Sequence, residues 1–281
     1  MLRLSPTSMG LFQLCHRKYD YSYNQKLVPM GDRIALEFGS IYQKGLTILY
    51  ETRDIELALA NALRLWEPFE GLDTTKLVRN KKKMEELLRA YEKEFFGKEN
   101  WRDAGGEILL KWPLCEGVEF VGKQDRRGWF GDTRAIQENK TSTFPGMFVN
   151  EPNNQICGYL WLESKILGEK VRKAVVTIAG LHKNSVGGLL YPRVKSDPPK
   201  SVFIRDPIQV EDFLIEEFER DAKAVAIEIE ICLRTGYWPK NAPQACGTFG
   251  GCEYKSLCLC SDEEKKVMAE MQFTKKERKP E

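Results

Sequence analysis

Asp125 stands in the segment VGKQDRRGWF, and Glu138 and Lys140 stand two residues apart in IQENKTST. Both segments read as short strands, and residues two apart on a strand share a face, so Glu138 and Lys140 project together. A neighbouring strand ending at Asp125 brings a second carboxylate to the same point. Two hard oxygen ligands and an ammonium suit a divalent cation such as Mg²⁺ or Mn²⁺, which takes one or two carboxylates and fills its remaining positions with water and substrate phosphate. Such a cation activates water and offsets the charge that builds during phosphodiester hydrolysis, while Lys140 orients the water or stabilises that charge. The carbonyl of Asn139, between the two side chains, is a candidate for a further metal ligand. Taken alone, Glu-x-Lys also describes an ordinary solvated strand.

Order and context separate the two readings. GKQD at 122–125, ENK at 138–140 and QICGY at 155–159 follow one another along the chain. Together they resemble the PD-(D/E)XK nuclease superfamily, in its RecB-like branch. Gln155 and Tyr159 lie one helical turn apart and face the same way; they match that branch's glutamine-x-x-x-tyrosine signature, on a helix that lines the DNA path. Asp125, Glu138 and Lys140 are then the implied catalytic residues. Members of the branch carry a histidine metal ligand in a Gly-x-x-x-His pattern, where this chain has Gly39-Ser40-Ile41-Tyr42-Gln43. Gln43 offers an amide oxygen there, neutral and weaker than imidazole toward Mn²⁺. Neither His16 nor His182 substitutes plainly. Arg126 and Arg127, next to Asp125, are placed to meet phosphates, and Trp129, Phe130 and Phe144 to stack on unpaired bases; Lys81, Lys82 and Lys83 read as a solvated helix face.

Eight cysteines are many for a chain of 281 residues, and four crowd into 246–260. Disulfides seldom persist in reducing compartments, so such crowding points to metal or cluster ligation. Cys246, Cys252 and Cys258 are evenly spaced after the Trp238-Pro239 turn, and Cys15 is the best candidate for a fourth thiolate; Cys260 is an alternative to Cys258. The resemblance implies that these four hold a [4Fe–4S] cluster, as in AddB-type and CRISPR-adaptation nucleases, with Zn²⁺ the alternative. A link from 15 to 246 closes a very long loop and acts as a structural staple. Cys115, Cys157 and Cys232 read as buried thiols.

These groups need a scaffold, and the pattern supplies one. Helices are expected from Ser5-Pro6 and at 36–50, 55–69 and 74–97. Strands follow at 107–112, 118–123 and 133–141, with a turn at 126–131, then a helix at 153–167, strands at 173–179 and 201–205, and a helix at 209–234 ended by Gly236 and Pro239. The charged tail after Cys260 reads as frayed. This predicts a single α/β nuclease domain over 1–281: a central mixed sheet flanked by helices, with an N-terminal helical portion at 1–100. The core of restriction-endonuclease type follows at 105–208, and a C-terminal helix and cysteine lobe at 209–260.

The hydrophobic share is 42%, charged residues make up 30%, and the formal net charge is +2, so no global positive field announces a nucleic-acid partner. No run approaches the ~18 apolar residues of a membrane span, and the N-terminus lacks a secretory core; the expected location is the cytoplasm. No Gly-x-x-x-x-Gly-Lys-Ser/Thr motif is present, so ATP-driven unwinding would come from a helicase partner. The expectation is a metal-dependent DNA exonuclease acting on single-stranded ends in repair or recombination. Its rival is a non-catalytic DNA-binding or scaffold subunit that keeps the fold, motivated by Gln43.

Overall fold

A computed structural model describes residues 1–30, 34–70, 78–147, 153–191, 198–241, 243–247 and 251–275. The chain, which reads as one domain in sequence, groups into two compact units: one of residues 32–110 and 122–215, the other of 1–31, 111–121 and 216–281.

The first of these units is a mixed sheet with helices on both faces. Its leading helices are α1 (Ile34–Thr52), α2 (Ile55–Trp66) and α3 (Lys81–Glu94). Asp54 caps α2 by accepting the N–H groups of Glu56 and Leu57, and Asn80 caps α3 through Lys83 N–H; each side chain satisfies donors that a helix start leaves open. The long strands β1 (Trp101–Cys115) and β2 (Val118–Phe130) follow, then β3 (Thr133–Ser142). Helix α4 (Asn154–Leu167) leads to β4 (Lys173–Gly180) and β5 (Phe203–Gln209). β3 runs antiparallel to β2 and parallel to β4, and β4 runs antiparallel to β5. β1 pairs with β2. A parallel pair cannot be joined by a tight turn; α4 supplies the crossover from β3 to β4.

Phe38, Leu46, Leu49, Trp66, Met84, Leu88 and Tyr91 pack with Ala179, Leu181 and Phe203 in a dry cluster that seats α1, α2 and α3 on one face. Burying each such large side chain contributes ~1.5–3 kcal/mol. On the other face α4 lies so close to β2 that a Cβ on Gly122 would come within 2.8 Å of Leu162 and Tyr159. Only glycine admits that approach. Asn153 caps the start of α4, and Gly168 ends it in the left-handed region at φ 68°.

β2 departs from the sequence reading. The turn expected at 126–131 is strand through Phe130, and the chain reverses at 131–132. The extra strand residues Arg126 and Arg127 are polar, and their partners are remote in sequence, as described below.

In the second unit Leu2–Leu4 pairs in parallel with Val118–Phe120. Ser5 and Ser8 close a capping box at the start of the helix Pro6–Leu14, with proline in its first turn. The helix α5 (Asp212–Thr235) ends before Gly236. From Ser261 to Lys275 the segment expected to fray forms regular structure: Ser261 and Glu264 form a capping box for the helix Asp262–Gln272, and Phe273–Lys275 pairs with Leu27–Pro29. Phe273 buries against Tyr21, Leu27, Tyr254 and Leu257, which anchors the segment. Among the described residues no helix is long and apolar enough to cross a membrane.

Candidate active site

Glu138 and Lys140 sit on the face of β3 that α4 covers. Lys140 Nζ donates to Glu138 Oε1 at 2.6 Å and to Gln155 Oε1 at 2.8 Å. Gln155, in the first turn of α4, donates through Nε2 to Glu138 Oε1 at 2.7 Å and to Tyr159 Oη at 3.1 Å. The four residues form one closed array, with Tyr159 buried beneath it. Burial and the nearby Glu138 charge push the Tyr159 hydroxyl up, so it stays protonated.

Asp125 lies where β2 and β3 part. Their ladder covers Arg126–Phe130 and Thr133–Gln137. Just beyond it, the N–H of Asn139 donates to Asp125 Oδ2 at 2.7 Å. Side-chain direction also breaks here: Gln124 donates to the Tyr159 carbonyl on α4, Arg127 pairs with Glu163 on α4, and Arg126 between them turns to the opposite face. Two neighbours three apart on one face require an irregular residue between them, since alternation is strict in a regular strand. Asp125 occupies that irregular stretch.

The electrostatics of this point ask for a cation. Burial first, and the Glu138 charge second, raise the Asp125 carboxyl well above its ordinary value, against the opposing Asn139 N–H and Lys140. Glu138 is buried, and its Oε2 has no hydrogen-bond partner among the described residues. A desolvated carboxylate oxygen without a donor is costly. Burial acts to lower the Lys140 ammonium, but Glu138 and Asp125 outweigh it and hold it above the usual lysine value. The chemistry of the two carboxylates fits a hard divalent cation, which Asp125 and the open oxygen of Glu138 could hold. No group of three His, Cys, Asp or Glu side chains gathers as a ligand set among the described residues. Two carboxylates with a carbonyl and water are enough for Mg²⁺.

The flanking residues differ from expectation. Arg126 is fully buried, bonded to Asp103 through Nε at 2.7 Å and Nη2 at 3.0 Å, and stacked on the Tyr50 ring at 4.1 Å. Arg127 pairs with the fully buried Glu163 at 3.0 Å. Both arginines placed for phosphate in the sequence reading are thus turned into internal ion pairs. A strand carrying two cations can enter a core only with such partners. Gln43 is buried on α1, with its Oε1 accepting from Asn139 Nδ2 at 3.2 Å. Trp129 is stacked by Arg102 and Arg134 at 4.4 and 4.2 Å, Lys173 lies over Phe130, and Phe144 is exposed. Lys83 is buried and bonds Glu86 and Ser185, unlike the solvated face expected of it. His16 stacks on Phe12, and burial, then Lys83, lowers the His182 imidazole. Two features were missed in the sequence. Glu107, at φ 50°, adds negative charge toward Asp125, and Gln137 is a polar residue on the α1-facing side of β3.

The chain belongs to the PD-(D/E)XK nuclease superfamily. The family model matches residues 3–259, which span both units. An exonuclease candidate from Eubacterium rectale shares the fold at a TM-score of 0.50 and 15% identity, over 85% of this chain and 84% of that one. LHK-Exo, an alkaline exonuclease of Laribacter hongkongensis, matches at a TM-score of 0.33 and 14% identity, over 71% of this chain and 94% of that one. No curated protein matches in sequence. Asp125 and Glu138 with Lys140 on β2 and β3, and Gln155 and Tyr159 on α4, meet in one partly buried array.

All eight cysteines are free of disulfides. In the second unit, Arg17 N–H donates to the Pro239 carbonyl, Asn241 to the Leu14 carbonyl, and Lys18 pairs with Glu253. These contacts bring the segment bearing Cys15 beside those bearing Cys246, Cys252 and Cys258. Cys252 N–H donates to the Cys246 carbonyl, and Cys258 lies near enough to both Cys15 and Cys252 to interact electrostatically. The segments converge, but the thiols are not gathered as a ligand set.

Proposed function

We propose that this nuclease hydrolyses DNA phosphodiester bonds with Mg²⁺ or Mn²⁺, acting as an exonuclease on single-stranded ends. The observation that carries this reading is the buried, unpartnered Oε2 of Glu138 beside a second desolvated carboxylate and a retained ammonium. Asp125, Glu138 and the Asn139 carbonyl would hold the cation, which when bound supplies an acidified water and neutralises phosphate charge. Gln155 fixes one Glu138 oxygen, so the other remains for the metal. Lys140 keeps its proton and presents positive charge where the phosphoryl oxygens gain negative charge. Tyr159 holds Gln155 from below and excludes water from that side. Gln155 and Tyr159 thereby support the site from the helix assigned to the DNA path.

We also propose a second, structural centre: Cys15, Cys246, Cys252 and Cys258 would hold an iron–sulfur cluster, or Zn²⁺, in the region where their segments converge. Iron, sulfide and zinc analysis of anaerobically purified protein distinguishes the two, and metal-free protein of full stability refutes both.

The polarity-neutral test of the main reading compares linear and circular single-stranded DNA with Mn²⁺. An exonuclease degrades the linear form to mononucleotides or short products and spares the circle. Cutting of the circle at a similar rate would make the enzyme an endonuclease, and no cutting of either would refute the function.

A further inference from the structure

Gln137 and Asn139 point to the face of β3 opposite Glu138 and Lys140, into the α1 and α3 side of the sheet. There they belong to a directed chain of amides. Gln137 Nε2 donates to Tyr91 Oη at 2.5 Å and to Asn139 Oδ1 at 3.3 Å, and Asn139 Nδ2 donates to Gln43 Oε1 at 3.2 Å. Tyr91 is anchored in turn: its hydroxyl lies 3.0 Å from that of Tyr50 and accepts from Arg205 Nη1 at 3.3 Å, and Tyr50 donates to Glu99 at 3.1 Å. Arg205 closes the network on Glu99 and Thr177. Gln137, Gln43 and Tyr91 are all buried.

We infer that Gln43 is a positioning residue that acts through Asn139 on Asp125. The inference rests on Asp125 being a metal ligand. Both polar atoms of the Asn139 side chain are bonded, one to each of two buried glutamines, Gln137 and Gln43. Rotation about the residue 139 backbone would break one or both bonds. That backbone supplies the N–H on Asp125 Oδ2 at 2.7 Å and carries the carbonyl proposed for the metal. The Gln43 oxygen, expected from sequence to face the cation, faces the Asn139 amide, while Gln43 Nε2 is buried without a partner among the described residues. A neutral amide in the histidine position and an asparagine inside Glu-x-Lys are therefore one matched pair, spanning 96 residues of sequence.

The test is a double-variant cycle on the full chain, using Gln43→Ala, Asn139→Leu and their combination. Two quantities are read: cleavage of linear single-stranded DNA at saturating Mn²⁺, and hydrogen exchange at the residue 139 amide in metal-free protein. A hydrogen bond of ~1.4 kcal/mol corresponds to about tenfold in rate or exchange. Gln43→Ala should therefore speed exchange at residue 139 about tenfold without loosening the α1–α3 core amides, and slow cleavage about tenfold. In the Asn139→Leu background, Gln43→Ala should change either quantity less than twofold. A direct metal ligand would instead be missed equally in both backgrounds, and equal losses overturn the inference. Unchanged exchange at residue 139 in Gln43→Ala also overturns it. If the wild-type chain cuts no DNA, the functional reading fails while the exchange cycle still decides the brace.

Discussion

Replacing Asp125 by asparagine should make the metal-free protein more stable at neutral pH while ending its activity. The native carboxyl is raised, first by burial and then by Glu138, so the folded state binds its proton more tightly than an unfolded chain, where aspartate titrates near ~3.9. A raised folded-state value contributes stability below the unfolded value, and that contribution is lost as pH rises through the folded one. As pH rises from the unfolded value toward neutrality, the unfolded chain therefore releases this proton more readily than the folded one, in which the carboxyl is poorly solvated and faces Glu138. Asparagine keeps the volume and keeps an oxygen to accept the Asn139 N–H, now bonded at 2.7 Å, but removes the charge. Relief of an uncompensated desolvated group is worth about 1–3 kcal/mol, and in a chain of this size each kcal/mol moves Tm by about 2–4 °C. Calorimetry of chelator-treated wild type and Asp125→Asn across pH 4–8 should show the variant gaining on the wild type as pH rises, and little difference at the acid end. Mn²⁺ should then raise the wild-type Tm and leave that of the variant nearly unmoved. A variant no more stable at pH 8, or a gap independent of pH, refutes the account of why these carboxylates are together.

Other perturbations follow from the same geometry. Arg126→Ala leaves Asp103 without its bidentate partner and Tyr50 without its stacked cation; it should cost about 3 kcal/mol in chemical denaturation and leave the salt dependence of DNA binding unchanged. Gly122→Ala puts a methyl 2.8 Å from Tyr159 and Leu162. It should cost about 1–3 kcal/mol and reduce cleavage more than Gly146→Ala, where a Cβ meets nothing. Cys15→Ser should lower Tm and the bound iron or zinc content together, with cleavage at low temperature retained.

Local signals carried much of the fold. Asp54 and Asn153 each precede a helix and cap it where the sequence places its start, whereas the helix expected at 74–97 spans Lys81–Glu94 behind the cap Asn80; the two-residue spacing of Glu138 and Lys140 places them on one face. The misreadings share a cause: the partner lies far away in sequence. Arg126 and Arg127 read as turn and phosphate contacts because nothing nearby shows that Asp103 and Glu163 will neutralise them. Lys83 reads as solvated because Ser185, its buried acceptor, is 102 residues distant. Residues 261–275 are charged on average, yet Phe273 buries in a cluster that Met268 and Ala269 also pack against, and this anchors the pairing with Leu27–Pro29. Gln137 had a visible signal: a glutamine directly after Ala135-Ile136, in a strand whose neighbours are apolar, must find a buried partner.

Asp125, Glu138 and Lys140 are the proposed cation-dependent centre for cutting DNA backbones. Its most direct test is cleavage of end-labelled single-stranded DNA by wild type and Glu138→Gln, each with Mn²⁺, with Mg²⁺ and with chelator. Glu138→Gln keeps the shape and an oxygen for Lys140 and Gln155 but removes the charge that the open oxygen contributes. The account predicts cleavage by wild type with either metal, none with chelator, and a loss of at least about 10²–10³-fold in the variant, the scale of removing one electrostatic stabiliser. Cleavage that survives chelation, or a Glu138→Gln protein that cuts at the wild-type rate, would contradict it.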